Sequence, residues 1–432
     1  MDAMKISQRC IPNLSRRPLQ TGPRKITVPP QFFSATGSRA IDPSKYQFNF
    51  IGLGKFGYAL LISLAQSGFN IRGFTRSAAD ADTFNQCGSH PTRFPHIRLS
   101  GKHFVPLPNP AKTTLSVTGK IQFSSDLHLL GKTPKGEFRD IILFNVPSKF
   151  AATSILEMAK LQIDPKTIIV TGSKGVALAT DQKPKLISTL LRQAFPENPI
   201  IYLAGPSFAE GIVSAEPTFL TAVSQAPQHA RIAGAIASLV GHRREVLFCN
   251  VHDDAIAIQL AGVLKNAFAI ASGACHGIGY NVGNGLHAVL SLGFREMVEF
   301  SIRAGAKPLS FQHNAAMGDY YMSASSEKSR NFRLGKLFGS TWARDRRAPS
   351  AEEILLELGG EVAEGANTLR LLKPILDEIE TRENGVVSFP VLRATYSLLF
   401  ENANPQSLIT NIQNFSGFPR EISEFPKPYL EF

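Results

Sequence analysis

Phe48–Asn49–Phe50–Ile51–Gly52–Leu53–Gly54–Lys55–Phe56–Gly57 runs a short apolar segment directly into a G-x-G-x-x-G pattern. The apolar part predicts a buried strand ending at Gly52. Tyr58 to Ser67 then carries Leu60, Leu61, Leu64 and Ala65 at helical spacing, with Gly68 placed to cap the end. Asn70–Ile71–Arg72–Gly73–Phe74 predicts a second strand. Strand, turn, helix and strand in that order open a doubly wound α/β sheet. The glycine pattern alone is a weak signal, and its place between a strand and a helix makes it informative. Gly52 would permit the tight turn, Gly54 would let the backbone approach a pyrophosphate, and Gly57 would allow close helix–strand contact. The unpaired N–H groups at the helix start suit that anion.

Such fingerprints usually carry an acidic residue about 20 positions on, bonding the ribose 2′-hydroxyl of NAD. Here the second strand ends in Phe74–Thr75–Arg76–Ser77, and the nearest acid is Asp80. Arg76 and Ser77 could hold a 2′-phosphate, which favours NADP and leaves NAD open.

Further apolar runs extend the sheet: Asp140–Ile141–Ile142–Leu143–Phe144–Asn145–Val146, Thr167–Ile168–Ile169–Val170 and Ile200–Ile201–Tyr202–Leu203. Before the first of these, residues 88–135 are rich in Pro, Lys and His and read as a long surface excursion. From Asp253 the texture becomes helical, with runs at 255–275, 285–304, 351–358, 361–380 and 390–400. The expected organisation is a basic arm over 1–46, a dinucleotide-binding Rossmann domain over 47–250, a mostly α-helical domain over 251–415 and a tail over 416–432.

Composition excludes several classes. The 432 residues are 43% hydrophobic and 19% charged, close to globular averages. No stretch approaches the roughly 18 consecutive apolar residues of a membrane span, so no integral membrane segment is expected. Residues 1–46 hold eight basic against two acidic side chains, so +6 of the net +12 falls in the arm. The remaining excess suits a small phosphorylated molecule, and no interleaved basic–aromatic or zinc-finger signature points to nucleic acid. The arm resembles a transit peptide in its Arg content, but Asp2 and the Pro29–Pro30 pair depart from one, and no apolar segment suggests secretion. Cys10, Cys87, Cys249 and Cys275 form no C-x-x-C pair and suit a reducing compartment, so a cytoplasmic location is expected, with organellar targeting by the arm as the alternative. No metal pattern occurs among the histidines.

Chemistry-bearing residues are dispersed. Lys174, in Val170–Thr171–Gly172–Ser173–Lys174–Gly175, follows a strand and lies at the carboxyl edge of the sheet, where ligands bind in such folds. Leu203–Ala204–Gly205–Pro206–Ser207–Phe208–Ala209–Glu210 is another strand end. Leu264–Lys265–Asn266 puts a lysine on an apolar, small-residue helix, where it either snorkels to the surface or faces a cleft. Met317–Gly318–Asp319 and Ser329–Arg330–Asn331 supply groups suited to a carboxylate–lysine pair and a phosphate clamp.

Taken in order, these segments resemble the NAD(P)-dependent glycerol-3-phosphate dehydrogenase family, from about residue 48 to about 400. The pieces are G-L-G-K-F-G at 52–57, V-P-S at 146–148, S-K-G at 173–175, G-P-S-F-A-E at 205–210, L-K-N at 264–266, G-D at 318–319, S-R-N at 329–331 and E-G at 364–365. The resemblance implies reversible hydride transfer between a nicotinamide and dihydroxyacetone phosphate or glycerol 3-phosphate, supplying phospholipid synthesis. It makes Lys265 the proton donor and acceptor, Lys174 a contact to substrate and cofactor, and Asp319 the acid beside the catalytic lysine. Ser329, Arg330 and Asn331, with Asn266, would hold the substrate phosphate, and Gly205 and Ser207 would line the cleft. Lys55, Phe56, Ala209, Arg330, Val362 and Glu364 match cofactor contacts. A homodimer is left open.

The chain also departs from the family pattern. Leu286 follows Gly283–Asn284–Gly285 where a basic residue is common, His276 stands where an acid is common, and Ser323 where a Thr is common. These departures bear on substrate affinity and subunit contacts rather than on the lysines and Asp319. Two other readings are another Rossmann-plus-helical dehydrogenase, with a carboxylate substrate, and a catalytically silent NADP-binding paralogue.

Overall fold

Eight strands form one sheet in the computed structural model, which describes residues 41–88, 90, 93–100, 113–130, 139–179, 181–224, 226–243, 246–281, 283–359, 363–415, 417 and 426–432. The strands are β1 (Tyr46–Ile51), β2 (Asn70–Phe74), β3 (Ile121–Ser124), β4 (Arg139–Phe144), β5 (Ile168–Thr171), β6 (Ile200–Ala204), β7 (Thr218–Val223) and β8 (Leu247–His252). Their spatial order is 3-2-1-4-5-6-7-8, and every pairing is parallel except that of β6 with β7. The first six strands have the order that dinucleotide-binding sheets share. Strand order reverses between β1 and β4, so a crevice opens at the carboxyl ends of those two neighbours, where such folds bind ligands.

Burial on both faces explains the continuous apolar runs. Phe48, Phe50, Ile141, Ile142 and Phe144 are fully buried, as parallel strands covered on both sides require. The covering helices are α1 (Lys55–Gln66), α2 (Ala78–Cys87), α3 (Ser148–Ala159), α4 (Ile187–Ala194), α5 (Ala209–Val213) and α6 (Ala230–Val240).

The 88–135 excursion needs correcting. Ile121–Ser124 is edge strand β3, in parallel register with Ile71–Phe74. Ile97–Ser100 and Thr113–Ser116 pair as a separate two-stranded sheet, while 101–112 and 131–138 lie outside the described residues. Ile121 and Phe123 are buried with Gln122 between them exposed. A four-residue strand with only two inward side chains gives little periodicity to read amid Pro- and Lys-rich flanks.

The chain leaves the sheet at His252 and enters helix at Ala255. Among the described residues, eight α-helices follow: α7 (Ala255–Gly277), α8 (Asn284–Ile302), α9 (Asp319–Ala324), α10 (Arg330–Asp345), α11 (Ala351–Leu358), α12 (Glu364–Arg382), α13 (Pro390–Phe400) and α14 (Ser407–Gln413). α9, α10 and α14 were not among the helices expected from apolar spacing. α10 has many polar positions, and α9 has only six residues.

Helix α7 is the axis of the core. By length and hydropathy it could cross a membrane, but 94% of its apolar window is buried inside the protein, so it serves as a core helix. Its close contact with α10 depends on glycine. A Cβ on Gly335 would stand 1.9 Å from the Ile270 carbonyl oxygen, and one on Gly273 would stand 2.0 Å from that of Phe332. Gly277 and Gly339 repeat the contact one turn on. Two small-xxx-small faces thus bring the backbones together and fix where α10 begins relative to the middle of α7.

Residues from Asp42 on form one compact unit. Within the 416–432 tail, the described residues 426–432 dock on it. The amides of Tyr429 and Leu430 donate to the Arg303 carbonyl at 2.8 and 2.9 Å, and the Tyr429 hydroxyl donates to Glu383 at 2.8 Å. Arg303, almost fully buried, donates to the same Glu383 carboxylate through Nε and Nη2. Residues 1–40 of the expected arm lie outside the described residues.

Candidate active site

The glycine turn occupies the crevice between β1 and β4. Gly52 has φ +89°, and a Cβ there would lie 2.4 Å from the Asn145 carbonyl oxygen, so both its conformation and its surroundings require glycine. A Cβ on Gly57 would meet the Gly52 carbonyl oxygen at 2.5 Å, which explains the close approach of α1 to the turn. Around Gly54 there is open space: nothing stands within 4 Å of the Cβ position. Gly54 caps α1 without a side chain, so the first amides of a 12-residue helix face that space unpaired. Such a cradle suits a pyrophosphate.

Neighbouring loops complete the crevice. The Gly172 amide donates to Asn145 Oδ1 at 3.1 Å, and Phe56 packs over Gly172, whose Cβ would sit 2.9 Å from the ring. Lys55 pairs with Glu210 at 3.2 Å, joining α1 to the segment where Ala209 begins α5. Arg76 follows β2 and is exposed. Ser77 accepts from the Asp80 amide at 3.1 Å as the cap of α2, leaving its hydroxyl proton available to an anion beside Arg76.

Three residues far apart in sequence converge where the sheet meets α7. Lys174 Nζ donates to Asp319 Oδ2 at 2.9 Å, and Lys265 donates to Oδ1 of the same carboxylate. Lys265 comes from the buried face of α7, Lys174 from the loop after β5, and Asp319 from the start of α9. A π-helical turn over Asn314–Gly318 delivers Asp319, which is fully buried; such turns often mark functional positions.

Charge cannot be shared evenly in this group. Burial favours the neutral amine of Lys265, and the adjacent Lys174 ammonium adds to that. Together they outweigh the attraction of Asp319 and lower the Lys265 pKa to about 7. Burial works against the charge on Lys174 as well, but there the Asp319 carboxylate prevails and holds its pKa above the ordinary value. Burial alone would raise the Asp319 pKa; the two lysines instead keep it low. Near neutral pH the group therefore holds one carboxylate, one fixed ammonium and one amine poised to gain or lose a proton.

Beside this group, Asn331 Nδ2 donates to Asn266 Oδ1 at 3.0 Å, and the Gly365 amide donates to Asn331 Oδ1 at 2.9 Å. Ser329 caps α10, bringing Ser329–Arg330–Asn331 to a helix N-terminus. Glu364, at the start of α12, lies in the fields of Arg330, Lys174 and Lys265, and burial raises its pKa. Ser207 donates to the Gly205 carbonyl at 3.0 Å on the turn after β6. Val362 lies outside the described residues.

Sequence reading missed Asn145, which ties two turns of the crevice, and Tyr202, a buried phenol on β6 in the fields of Lys174, Asp319 and Glu364. Asn145 stood inside a strand-like run, and Tyr202 looked like one more apolar strand residue. Among the described residues, no group of three or more His, Cys, Asp or Glu side chains is placed to hold a metal ion.

A dinucleotide cradle on a 3-2-1-4-5-6 sheet, with a lysine–carboxylate–lysine group where that sheet meets an adjoining helical layer, defines the class of two-part nicotinamide-dependent dehydrogenases. Comparison with known proteins narrows the class. Residues 119–230 match the model of the NAD-dependent glycerol-3-phosphate dehydrogenase N-terminus, and residues 254–410 match that of its C-terminus. The glycerol-3-phosphate dehydrogenase [NAD(P)+] of Leptospira biflexa is 29% identical over 366 residues, covering 83% of this chain and 95% of that protein. That of Streptococcus thermophilus is 31% identical over 276 residues, covering 63% and 74%. In fold, the chain is similar to glycerol-3-phosphate dehydrogenase from Coxiella burnetii, with a TM-score of 0.67 at 22% identity, covering 86% of this chain and 99% of that one. The chain belongs to the NAD(P)-dependent glycerol-3-phosphate dehydrogenase family.

Proposed function

We infer that the protein interconverts dihydroxyacetone phosphate and sn-glycerol 3-phosphate with a nicotinamide dinucleotide as hydride partner. The observation that carries this reading is the Asp319 carboxylate held between Lys174 and Lys265. A bound nicotinamide would supply hydride to the substrate carbonyl carbon in reduction and accept it in oxidation. Gly52, Gly54, Gly57 and the start of α1 would seat its pyrophosphate, Phe56 and Ala209 would line its path, and Arg76 would meet a 2′-phosphate. Glu364 and Arg330 would border it on the helical side.

The remaining chemistry falls to side chains of this chain. As the carbonyl carbon gains hydride, its oxygen becomes anionic. The Lys265 ammonium stabilises that oxygen and gives it a proton, ending as the neutral amine. In oxidation the neutral amine takes the hydroxyl proton. Asp319 orients Lys265, and Lys174 supplies a second positive charge near the oxygen. Ser329, Arg330, Asn331 and Asn266 would hold the substrate phosphate, fixing the carbonyl for attack, with Gly205 and Ser207 along the cleft.

NADP preference, supply of glycerol 3-phosphate to phospholipid synthesis, a cytoplasmic location and a homodimer complete the proposal. Light scattering tests the last. The reaction itself is tested by mixing protein, NADPH and dihydroxyacetone phosphate and following NADPH absorbance. Loss of absorbance that depends on the phosphorylated ketone supports the reading. Its absence, or equal turnover of a 2-oxo acid, overturns it.

A further inference from the structure

Behind the lysine–carboxylate–lysine group lies a second cleft. It holds about 440 Å³ of free space, mouth included, and its lining includes Ser188, Arg192, Asn198, Tyr202, His229 and Gln259. Arg192 is exposed and His229 half-buried, whereas Ser188, Gln259 and Tyr202 are buried. Pro196, Ile200, Val223 and Ala226 make much of the lining apolar, but the polar groups among them and the open mouth make this a place that water can enter.

Helix α7 links the cleft to the active site. Gln259, Gly262 and Lys265 follow one another at intervals of three, on one face of the helix. Gln259 lines the cleft, and Lys265 reaches Asp319. Tyr202 lines the cleft and meets this helix at Gly262. It pairs in register with Thr171, three residues before Lys174, and its hydroxyl lies 3.0 Å from the position a Cβ on Gly262 would take. Glycine at 262 is what lets the phenol come this close to the helix. Tyr202 is 3% exposed, and burial raises its pKa, so it stays neutral over the working range.

Resting on the functional reading above, we propose that Tyr202 is a positioning residue whose ring forms the wall between the rear cleft and Lys265, keeping water from that amine. Burial is the largest influence on the proton affinity of Lys265, and a wall that preserves burial preserves the poise. The charged and titratable groups around Lys265 are Asp319 on α9, Lys174 after β5 and Glu364 at the start of α12, with Arg330 of α10 beyond Glu364. On the far side of Tyr202 stand Arg192 and His229. Opening the wall brings solvent to Lys265 without removing any of its charged neighbours.

The test compares kcat/KM for dihydroxyacetone phosphate reduction against pH in the unmodified protein, Tyr202→Phe and Tyr202→Ala. Tyr202→Ala opens the wall, hydrates Lys265 and moves the alkaline limb upward by about one unit or more. Tyr202→Phe keeps the ring and the original limb. An unmoved limb in Tyr202→Ala overturns the proposal, as does a Tyr202→Phe limb that shifts. If Tyr202→Ala does not fold, Tyr202→Leu opens the wall with a smaller void and is read in the same way. An unmodified protein without dihydroxyacetone phosphate reductase activity sinks the functional reading and the wall with it. An active protein with an unmoved Tyr202→Ala profile sinks the wall alone.

Discussion

Gly335→Ala adds one methyl group at the crossing of α10 and α7. The new carbon would stand 1.9 Å from the Ile270 carbonyl oxygen, 2.7 Å from the Ile270 carbonyl carbon and 2.8 Å from the Ala274 nitrogen. Close carbon–oxygen contacts settle at about 3.3–3.6 Å, so the helices must part by roughly 1.4 Å. All three atoms are backbone, which leaves no side chain to rotate away. Overpacking of this kind costs about 1–3 kcal/mol, sometimes more. The same shift displaces Arg330 and Asn331 from Asn266 and Lys265, and an error of about 1 Å in positioning lowers turnover on the order of 10²-fold. Gly234→Ala is the internal control. It lies in α6 with nothing within 4 Å of the added carbon, and should stabilise by about 0.5–1 kcal/mol. Urea unfolding and kcat/KM measured on both variants decide the matter. A Gly335→Ala protein with unchanged urea midpoint and activity would refute the claim that this crossing sets the site.

Asp319→Asn leaves the buried Lys265 and the half-buried Lys174 without their carboxylate; removing one partner of a buried pair costs about 3–5 kcal/mol, and kcat should fall by about 10²-fold or more, read by urea unfolding and steady-state kinetics. Arg330→Ala should raise the KM for dihydroxyacetone phosphate by about 10- to 100-fold, the loss of one charge-assisted phosphate contact, and harm turnover of unphosphorylated dihydroxyacetone much less; equal losses would remove Arg330 from phosphate binding. Arg76→Asp should raise the KM for NADPH and lower that for NADH, and equal KM values for the two cofactors in the unmodified protein would contradict the role given to Arg76.

How far the sequence could be read depended on whether each feature is local. The β1–α1 turn is local: Gly52, Gly54 and Gly57 sit within six positions of a strand end, and the structure puts them at the crevice. Strand β3 was hidden because Ile121 and Phe123 are its only inward residues. Helix α10 was hidden because its buried face mixes Phe332, Leu334 and Phe338 with Asn331, Gly335, Gly339 and Thr341, which blurs the apolar pattern. Lys174, Lys265 and Asp319 stood out singly, but that they meet was legible only through family resemblance, since 145 and 54 residues separate the lysines from the carboxylate they share. Neither spacing nor propensity brings such positions together; the turn after β5, the axis of α7 and the π-helical turn before α9 do. Tyr202 was unreadable for a related reason. A tyrosine in a strand reads as core, and its close approach to α7 depends on Gly262 in another element.

The direction of pH dependence tests the central claim most directly. As proton donor and acceptor, Lys265 must be the ammonium for reduction and the amine for oxidation, and its pKa of about 7 sets where the two limbs fall. With kcat/KM measured across pH 5–9.5 in both directions, dihydroxyacetone phosphate reduction should therefore fall about tenfold per unit above pH 7. Glycerol 3-phosphate oxidation should fall by the same slope below it. Titration of the substrate phosphate near pH 6 acts in the same sense in both directions and cannot produce this mirror image. Opposed limbs meeting near pH 7, both absent from the residual activity of Lys265→Met, are the predicted result. Limbs of the same sense in both directions, or opposed limbs that persist in Lys265→Met, would contradict Lys265 as the proton donor and acceptor.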